Sequence, residues 1–247
     1  MATETIIYGF QPVLEAFKAG KPIEKLLILN GLHPGKRGAL TEMARQTDTP
    51  FQFVPKEKLN KISRGNHQGV IAFLAPLHYA QLDRLVPTLF ESGRAPLLLM
   101  LDRITDVRNL GAIARTAECM GVDALIVPQR GSALIGPDAV KTSAGALNHI
   151  PVCREKNLQD TVKFLKESGF VTAALTEKGD KTPDQADLTK PVLLIAGSEE
   201  NGIAPSLLGS CDLAIRIPMS GNTTSLNVSV ATGMILYEVI RQRNKNR

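Results

Sequence analysis

Apolar runs, each followed by a polar or glycine-rich turn, recur along this chain at intervals that predict alternating strands and helices. In the first third, residues 25–29, 51–54 and 69–74 read as strands and residues 38–46 as a helix, which fits a small α/β domain over residues 1–75. The pattern weakens between Pro76 and Pro96, where Pro87 and Gly93 add further punctuation. Leu82, Leu85, Val86 and Leu89 fall at the spacing of a short amphipathic helix, so residues 76–95 are read as a linker that carries the first helix of the second domain. From Pro96 onward, residues 97–101, 124–127, 171–175, 192–196 and 213–217 are apolar strand candidates separated by helical stretches. That alternation predicts right-handed β-α-β crossovers and a parallel sheet over residues 96–247, an α/β fold class.

Composition narrows the class further. At 247 residues and 43% hydrophobic content the chain can bury one large or two modest cores. Its net charge of +5 is uneven: residues 1–75 carry ten Lys/Arg against six Asp/Glu, whereas the remaining residues carry nineteen against eighteen. A basic N-terminal third favours a polyanionic partner such as RNA through counterion release, although Lys56, Lys58, Lys61 and Arg64 are equally readable as a solvated helix face. Cys119, Cys153 and Cys211 are odd in number and far apart, which points to neither a zinc site nor a disulfide framework and fits a reduced cytoplasm. The start Met1-Ala2-Thr3-Glu4-Thr5 lacks the basic segment of a signal peptide, and no apolar run approaches a membrane span. A soluble, cytoplasmic protein without metal is expected.

Three strand ends carry chemistry-bearing loops. Residues 213–217 run to Pro218, read as the strand's end because proline cannot donate to a ladder, and then through Met219-Ser220-Gly221-Asn222-Thr223. A helix is expected from Thr224 or Ser225, whose hydroxyl would cap its free amides, to the region of Arg243. Residues 97–101 lead through a polar loop to Asn109, the expected N-cap of a helix whose Gly111, Ala112, Ala114 and Ala117 keep its surface small. Arg115 is a lone long cation on that surface, available either to a pair with Glu118 or to a site. Residues 192–196 run into Gly197-Ser198-Glu199-Glu200-Asn201-Gly202, which lacks the middle glycine of a dinucleotide fingerprint and so argues against a dehydrogenase. His67 and His149 are read as structural hydrogen-bonding groups rather than acid–base catalysts.

In this order, Asn109-x-Gly111-x-x-x-Arg115, Gly197-x-Glu199-x-x-Gly202 and Ile217-Pro218-Met219-x-Gly221, followed by Ser225-Leu226-Asn227-Val228-Ser229-x-Ala231, resemble the three signature motifs of the SpoU/TrmH-type RNA ribose 2′-O-methyltransferases of the SPOUT superfamily. Tyr8 to Ala16 and Asn66 to Ala72 resemble the family's N-terminal RNA-binding extension, so the likeness spans nearly the whole chain. The chain departs from the family at Val107-Arg108, where many members carry proline, and at Asn222-Thr223-Thr224. The resemblance implies a C-terminal trefoil knot, S-adenosylmethionine held mostly by the backbone of Gly197, Ile217 and Leu226, and a weaker contact from Thr176. It implies Arg115 as the central catalytic residue with Asn109, Glu199, Ser225 and Asn227 around it, and a homodimer formed through the helix that follows Ser225. Since a guanidinium stays protonated, Arg115 is read as stabilising the phosphate and developing alkoxide rather than as a base. The extension points to a guanosine of large-subunit (23S) ribosomal RNA; a transfer-RNA methyltransferase and a non-catalytic ribosome-assembly protein are the alternatives.

Overall fold

The computed structural model describes residues 6–223 and 225–245. The chain forms two compact units: residues up to His78 together with Leu134–Asp138, and Tyr79–Ala133 together with the residues from Ala139 onward.

The first unit runs β1 (Ile6–Tyr8), α1 (Phe10–Lys18), β2 (Ile23–Leu29), α2 (Pro34–Gln46), β3 (Phe51–Val54), α3 (Lys56–Ile62) and β4 (Val70–Leu74). Its sheet has the order β1-β4-β2-β3, parallel only between β2 and β3. Side chains two apart share a face, so Leu26 and Ile28 of β2 meet Val13, Phe17 and Leu40 of α1 and α2, while Leu27 and Ile71 meet Leu59 of α3 on the other side. His67 is buried; its Nδ1 accepts from the Gly69 amide at 3.0 Å and its Nε2 lies 2.8 Å from Asn60 Oδ1. Both ring nitrogens are thus engaged in holding the turn before β4 against α3.

The second unit runs α4 (Leu82–Glu91), β5 (Leu97–Asp102), α5 (Val107–Cys119), β6 (Ala124–Pro128), α6 (Pro137–Thr142, whose first two residues group with the first unit), β7 (Val152–Glu155), α7 (Leu158–Glu167), β8 (Val171–Leu175), β9 (Val192–Gly197), α8 (Pro205–Leu208), β10 (Leu213–Ile215) and α9 (Val228–Lys245). Its sheet is wholly parallel in the order β10-β8-β9-β5-β6-β7. Every residue of β5 and β9 is buried, as expected of central strands covered on both faces. Among the described residues no helix is long and apolar enough to cross a membrane.

The helix expected within residues 76–95 is α4, whose Leu82 and Val86 are buried with Leu98 and Met100 in the second unit's core. At least five parallel strands were expected, and with β7, which follows the strand-like Ile150-Pro151, the sheet has six. Three other expectations shift. β10 ends at Ile215, before Pro218, because the Arg216 amide turns to the Lys181 carbonyl at 2.9 Å instead of continuing along β8. α5 begins at Val107, capped by Asp106, whose Oδ1 accepts from the Arg108 amide at 2.8 Å; Asn109 lies within the first turn and is not the cap. α9 begins at Val228, three residues beyond Ser225, because the Asn227 carboxamide takes the capping role; Thr224 lies outside the described residues.

Candidate active site

The loops that follow β5, β8, β9 and β10 all leave the carboxyl ends of parallel strands, where an open α/β sheet gathers its ligand-binding loops. Glycine permits the tightest approach there. A Cβ on Gly197, at the end of β9, would lie 2.2 Å from the Gly202 carbonyl carbon and 2.3 Å from the Ile203 nitrogen, so the Ser198–Gly202 loop can fold back onto its own strand only if residue 197 has no side chain. Paired hydrogen bonds between Ser198 and Gly202, at 3.1 and 2.9 Å, close the loop.

The same loop is fastened from β5. Arg103 has φ 57, the left-handed region that non-glycine residues seldom occupy, and this turns its guanidinium back onto the Asp102 carboxylate at 3.1 and 3.0 Å. From there Arg103 also donates to the Gly202 carbonyl at 3.0 Å, while Asp102 accepts from the Ala204 amide at 2.7 Å. Asp102 is buried, so the pair that anchors this loop is a charge-assisted network rather than a surface ion pair. Sequence reasoning passed over both residues; an aspartate closing a run of five apolar residues is the signal that marks them.

Held in this way, Glu199 points its carboxylate toward the start of α9. Its Oε1 accepts from Asn227 Nδ2 in a short contact and from the Val228 amide at 3.4 Å. Asn227 Nδ2 also donates to Asn109 Oδ1 at 3.0 Å, and Asn227 Oδ1 accepts from the Ser229 and Val230 amides at 3.0 and 3.4 Å. One side chain therefore caps α9 and joins a loop and the first turn of α5, 28 and 118 residues away in sequence.

Two adjoining cavities meet at Glu199. The larger, about 470 Å³, lies among the loops after β8, β9 and β10 and the first turns of α9. Thr176, Gly197, Ile217 and Leu226 all line it, together with Ser225 and Glu199; Lys178, Met219 and Thr232 are lining residues that sequence reasoning did not single out. Its size suits a ligand of cofactor dimensions, and a wall rich in loop backbone supplies amide and carbonyl groups for orienting one. The smaller cavity, about 330 Å³, is lined by Arg103 to Asp106, Asn109, Gly131 and the Ser198–Asn201 loop.

Arg115 is not drawn into this network. It is exposed on α5, touches neither cavity, and among the described residues makes no ion pair with Glu118. It lies six helical steps from Asn109, about 9 Å along the axis and about 120° around it. The structure thus brings Asn109, Glu199, Ser225 and Asn227 around the cavities and leaves Arg115 on the flank. Among the described residues no group of three or more His, Cys, Asp or Glu is placed to hold a metal ion.

A parallel α/β sheet with a loop-walled cavity at its carboxyl edge and a converging Asn-Glu-Asn trio defines a small-molecule-binding class of site. Comparison with known proteins makes the class specific. The sequence model of the SpoU rRNA Methylase family matches residues 96–237, and that of the RNA 2′-O ribose methyltransferase substrate-binding domain matches residues 6–80. A Staphylococcus saprophyticus protein described as a putative TrmH family tRNA/rRNA methyltransferase is 36% identical over 241 residues, covering 98% of this chain and 97% of that one. Among solved structures, the SpoU methyltransferase AviRb from Streptomyces viridochromogenes in complex with AdoMet is 29% identical with a TM-score of 0.62, covering 100% of this chain and 92% of that one. The AdoMet-bound rRNA methyltransferase from Sinorhizobium meliloti is 25% identical with a TM-score of 0.62, covering 96% and 86% of the two chains. The chain belongs to the SpoU/TrmH family of RNA methyltransferases.

Proposed function

We infer that this enzyme transfers the methyl group of S-adenosylmethionine to a ribose 2′-hydroxyl of RNA, and that its substrate is a guanosine of large-subunit ribosomal RNA. The observation that carries the reading is the shared wall at Glu199: a cofactor-sized cavity on one side, lined by Thr176, Gly197, Ile217 and Leu226, and the Asn109-Glu199-Asn227 trio on the other. S-Adenosylmethionine supplies an electrophilic methyl group when bound. The chain's part is to fix a 2′-oxygen in line with it and to stabilise charge as the hydroxyl loses its proton.

Each residue has a role in this reading. Backbone groups near Gly197, Ile217 and Leu226 hold the cofactor, and Ser225, on the cavity wall, faces the incoming ribose. Asn227 and Asn109 present amide groups to ribose or phosphate, with Glu199 fixing the Asn227 donor. Arg115, exposed and free of the Glu118 pair, reaches the RNA phosphate from the flank of α5. Residues 1–75 act in substrate capture and residues 96–247 in catalysis.

A trefoil knot belongs to the same reading. The close chain passages it needs have support at Gly179, where a Cβ would lie 2.6 Å from the Arg216 nitrogen, and at Gly197. A homodimer has support on α9, where Val230, Met234 and Tyr237 recur at i, i+4 and i+7 and are 52%, 48% and 61% exposed, an apolar stripe that a second copy would cover. Mapping 2′-O-methyl groups on ribosomal and transfer RNA from cells with and without the gene tests the substrate. One methyl lost from large-subunit RNA supports the reading, loss from transfer RNA moves the enzyme to the other substrate, and no loss from either refutes both.

A further inference from the structure

The first half of α2 is the barest helical surface of the N-terminal unit. Residues 33–39 are all exposed, and only Leu40 and Ala44 of this helix are buried. Gly35 and Gly38 lie in its first turns, although glycine disfavours a helix relative to alanine. Neither has a positive φ, and a Cβ at Gly38 would meet nothing within 4 Å, so the fold of this unit does not itself require glycine there. Their effect is to leave the helix surface open to close approach.

Edge strand β3 completes the surface. Phe53 pairs with Ile28 in register and so projects to the same sheet face as α2, yet it is 41% exposed. Phe51, two residues earlier, meets its ring edge-to-face at 5.8 Å. The Arg37 guanidinium sits 5.6 Å from the Phe53 ring centroid, and the Lys36 ammonium 5.2 Å from that of Phe10. Among the described residues neither cation has an ion-pair partner. An exposed aromatic ring beside unpaired cations on a bare helix is the chemistry that takes a base by its face and a phosphate by its charge.

We propose that Phe53 and Arg37, flanked by Lys36 and Phe10, form a stacking platform for an unpaired base of the RNA substrate, with the two cations meeting adjacent phosphates. This rests on the RNA-methyltransferase reading and adds what the N-terminal unit selects: a loop or bulge rather than a continuous duplex, whose bases offer no free face. A protein partner is the other occupant that the test separates from RNA.

The test uses the full chain and two fluorescent probes, an RNA hairpin with an unpaired loop and a fully paired RNA duplex of equal length. Phe53→Ala and Phe53→Leu should each weaken hairpin binding about tenfold or more and leave duplex binding unchanged, whereas Phe53→Trp should bind like the parent. Phe53→Leu keeps an apolar group on β3, so it still reports if the alanine variant melts early. Arg37→Gln should flatten the dependence of hairpin affinity on salt by about one phosphate's worth. Hairpin affinity unchanged in both Phe53→Ala and Phe53→Leu, or Phe53→Leu equal to Phe53→Trp, overturns the platform and leaves the patch to a protein partner. Binding is read without cofactor, so a protein that needs Phe53 for the hairpin but transfers no methyl would fail the catalytic reading alone.

Discussion

Replacing Asn227 separates the structural work of the site from its chemistry, because one carboxamide performs both. Asn227→Ala removes the acceptor that caps α9 and the donor that joins Asn109 and Glu199. Loss of an Asn cap costs about 1 kcal/mol, and because the side chain is exposed the two lost donor contacts add little, with water replacing them. For a unit of this size that corresponds to a fall in melting temperature of about 2–4 °C. Turnover should fall far more, about 100-fold or beyond, if the Asn227 donor is part of a preorganised site. Asn227→Ser resolves the two contributions: its hydroxyl can still cap α9, so the melting temperature should stay within about 1 °C of the parent, but it cannot span to both Asn109 and Glu199. Its turnover should resemble that of the alanine variant. Single-turnover methyl transfer at saturating RNA and cofactor, beside thermal unfolding, measures both quantities. Near-parental turnover in Asn227→Ser would refute the catalytic use of the trio and reduce Asn227 to a helix cap.

Gly197→Ala should lower stability by about 1–3 kcal/mol and sharply weaken S-adenosylmethionine binding in calorimetric titration, because its Cβ would collide with backbone at Gly202 and Ile203; parental affinity would contradict the loop's part in the cofactor site. Arg115→Ala and Arg115→Lys should both lose most turnover while stability stays within about 0.5 kcal/mol, since the side chain is exposed and unpaired; an active alanine variant would remove Arg115 from catalysis. Burial pushes the Cys153 thiol up to about 12 and the Cys211 thiol up to about 11, with nearby carboxylates adding to both, whereas Cys119 is exposed. Thiol reagents at pH 8 should therefore label Cys119 first in the folded protein and reach the other two on unfolding; fast labelling of Cys153 in the native state would contradict its burial.

The central strands were readable from sequence because burial on both faces leaves a continuous apolar run, as in residues 97–101 and 192–196. β7 was harder: only Val152 and Cys153 are buried in a strand that follows Pro151. Strand order could not be read, since β5 pairs with β9 across some 90 residues of chain. The start of α9 was misplaced for a tertiary reason. Ser225 has good local chemistry for a cap, but Asn227 is drawn into place by Glu199 and Asn109, which no local pattern reveals. The same holds for α5, where Asp106 and Asn109 are both fit caps and the tie to Asn227 assigns Asn109 elsewhere. The cavity residues were legible as a set only through the family resemblance, because Thr176, Gly197, Ile217 and Leu226 belong to three separate loops.

The central claim is methyl transfer from S-adenosylmethionine to a ribose 2′-oxygen, and the most direct measurement follows an isotopically labelled methyl group into RNA. Purified protein is incubated with labelled S-adenosylmethionine and unmodified large-subunit ribosomal RNA, and the RNA is digested to nucleosides and resolved by mass. The account predicts label in a 2′-O-methylnucleoside, 2′-O-methylguanosine in particular, and its absence with Asn227→Ser. Label on a nucleobase, or no label with ribosomal and transfer RNA alike, would contradict it.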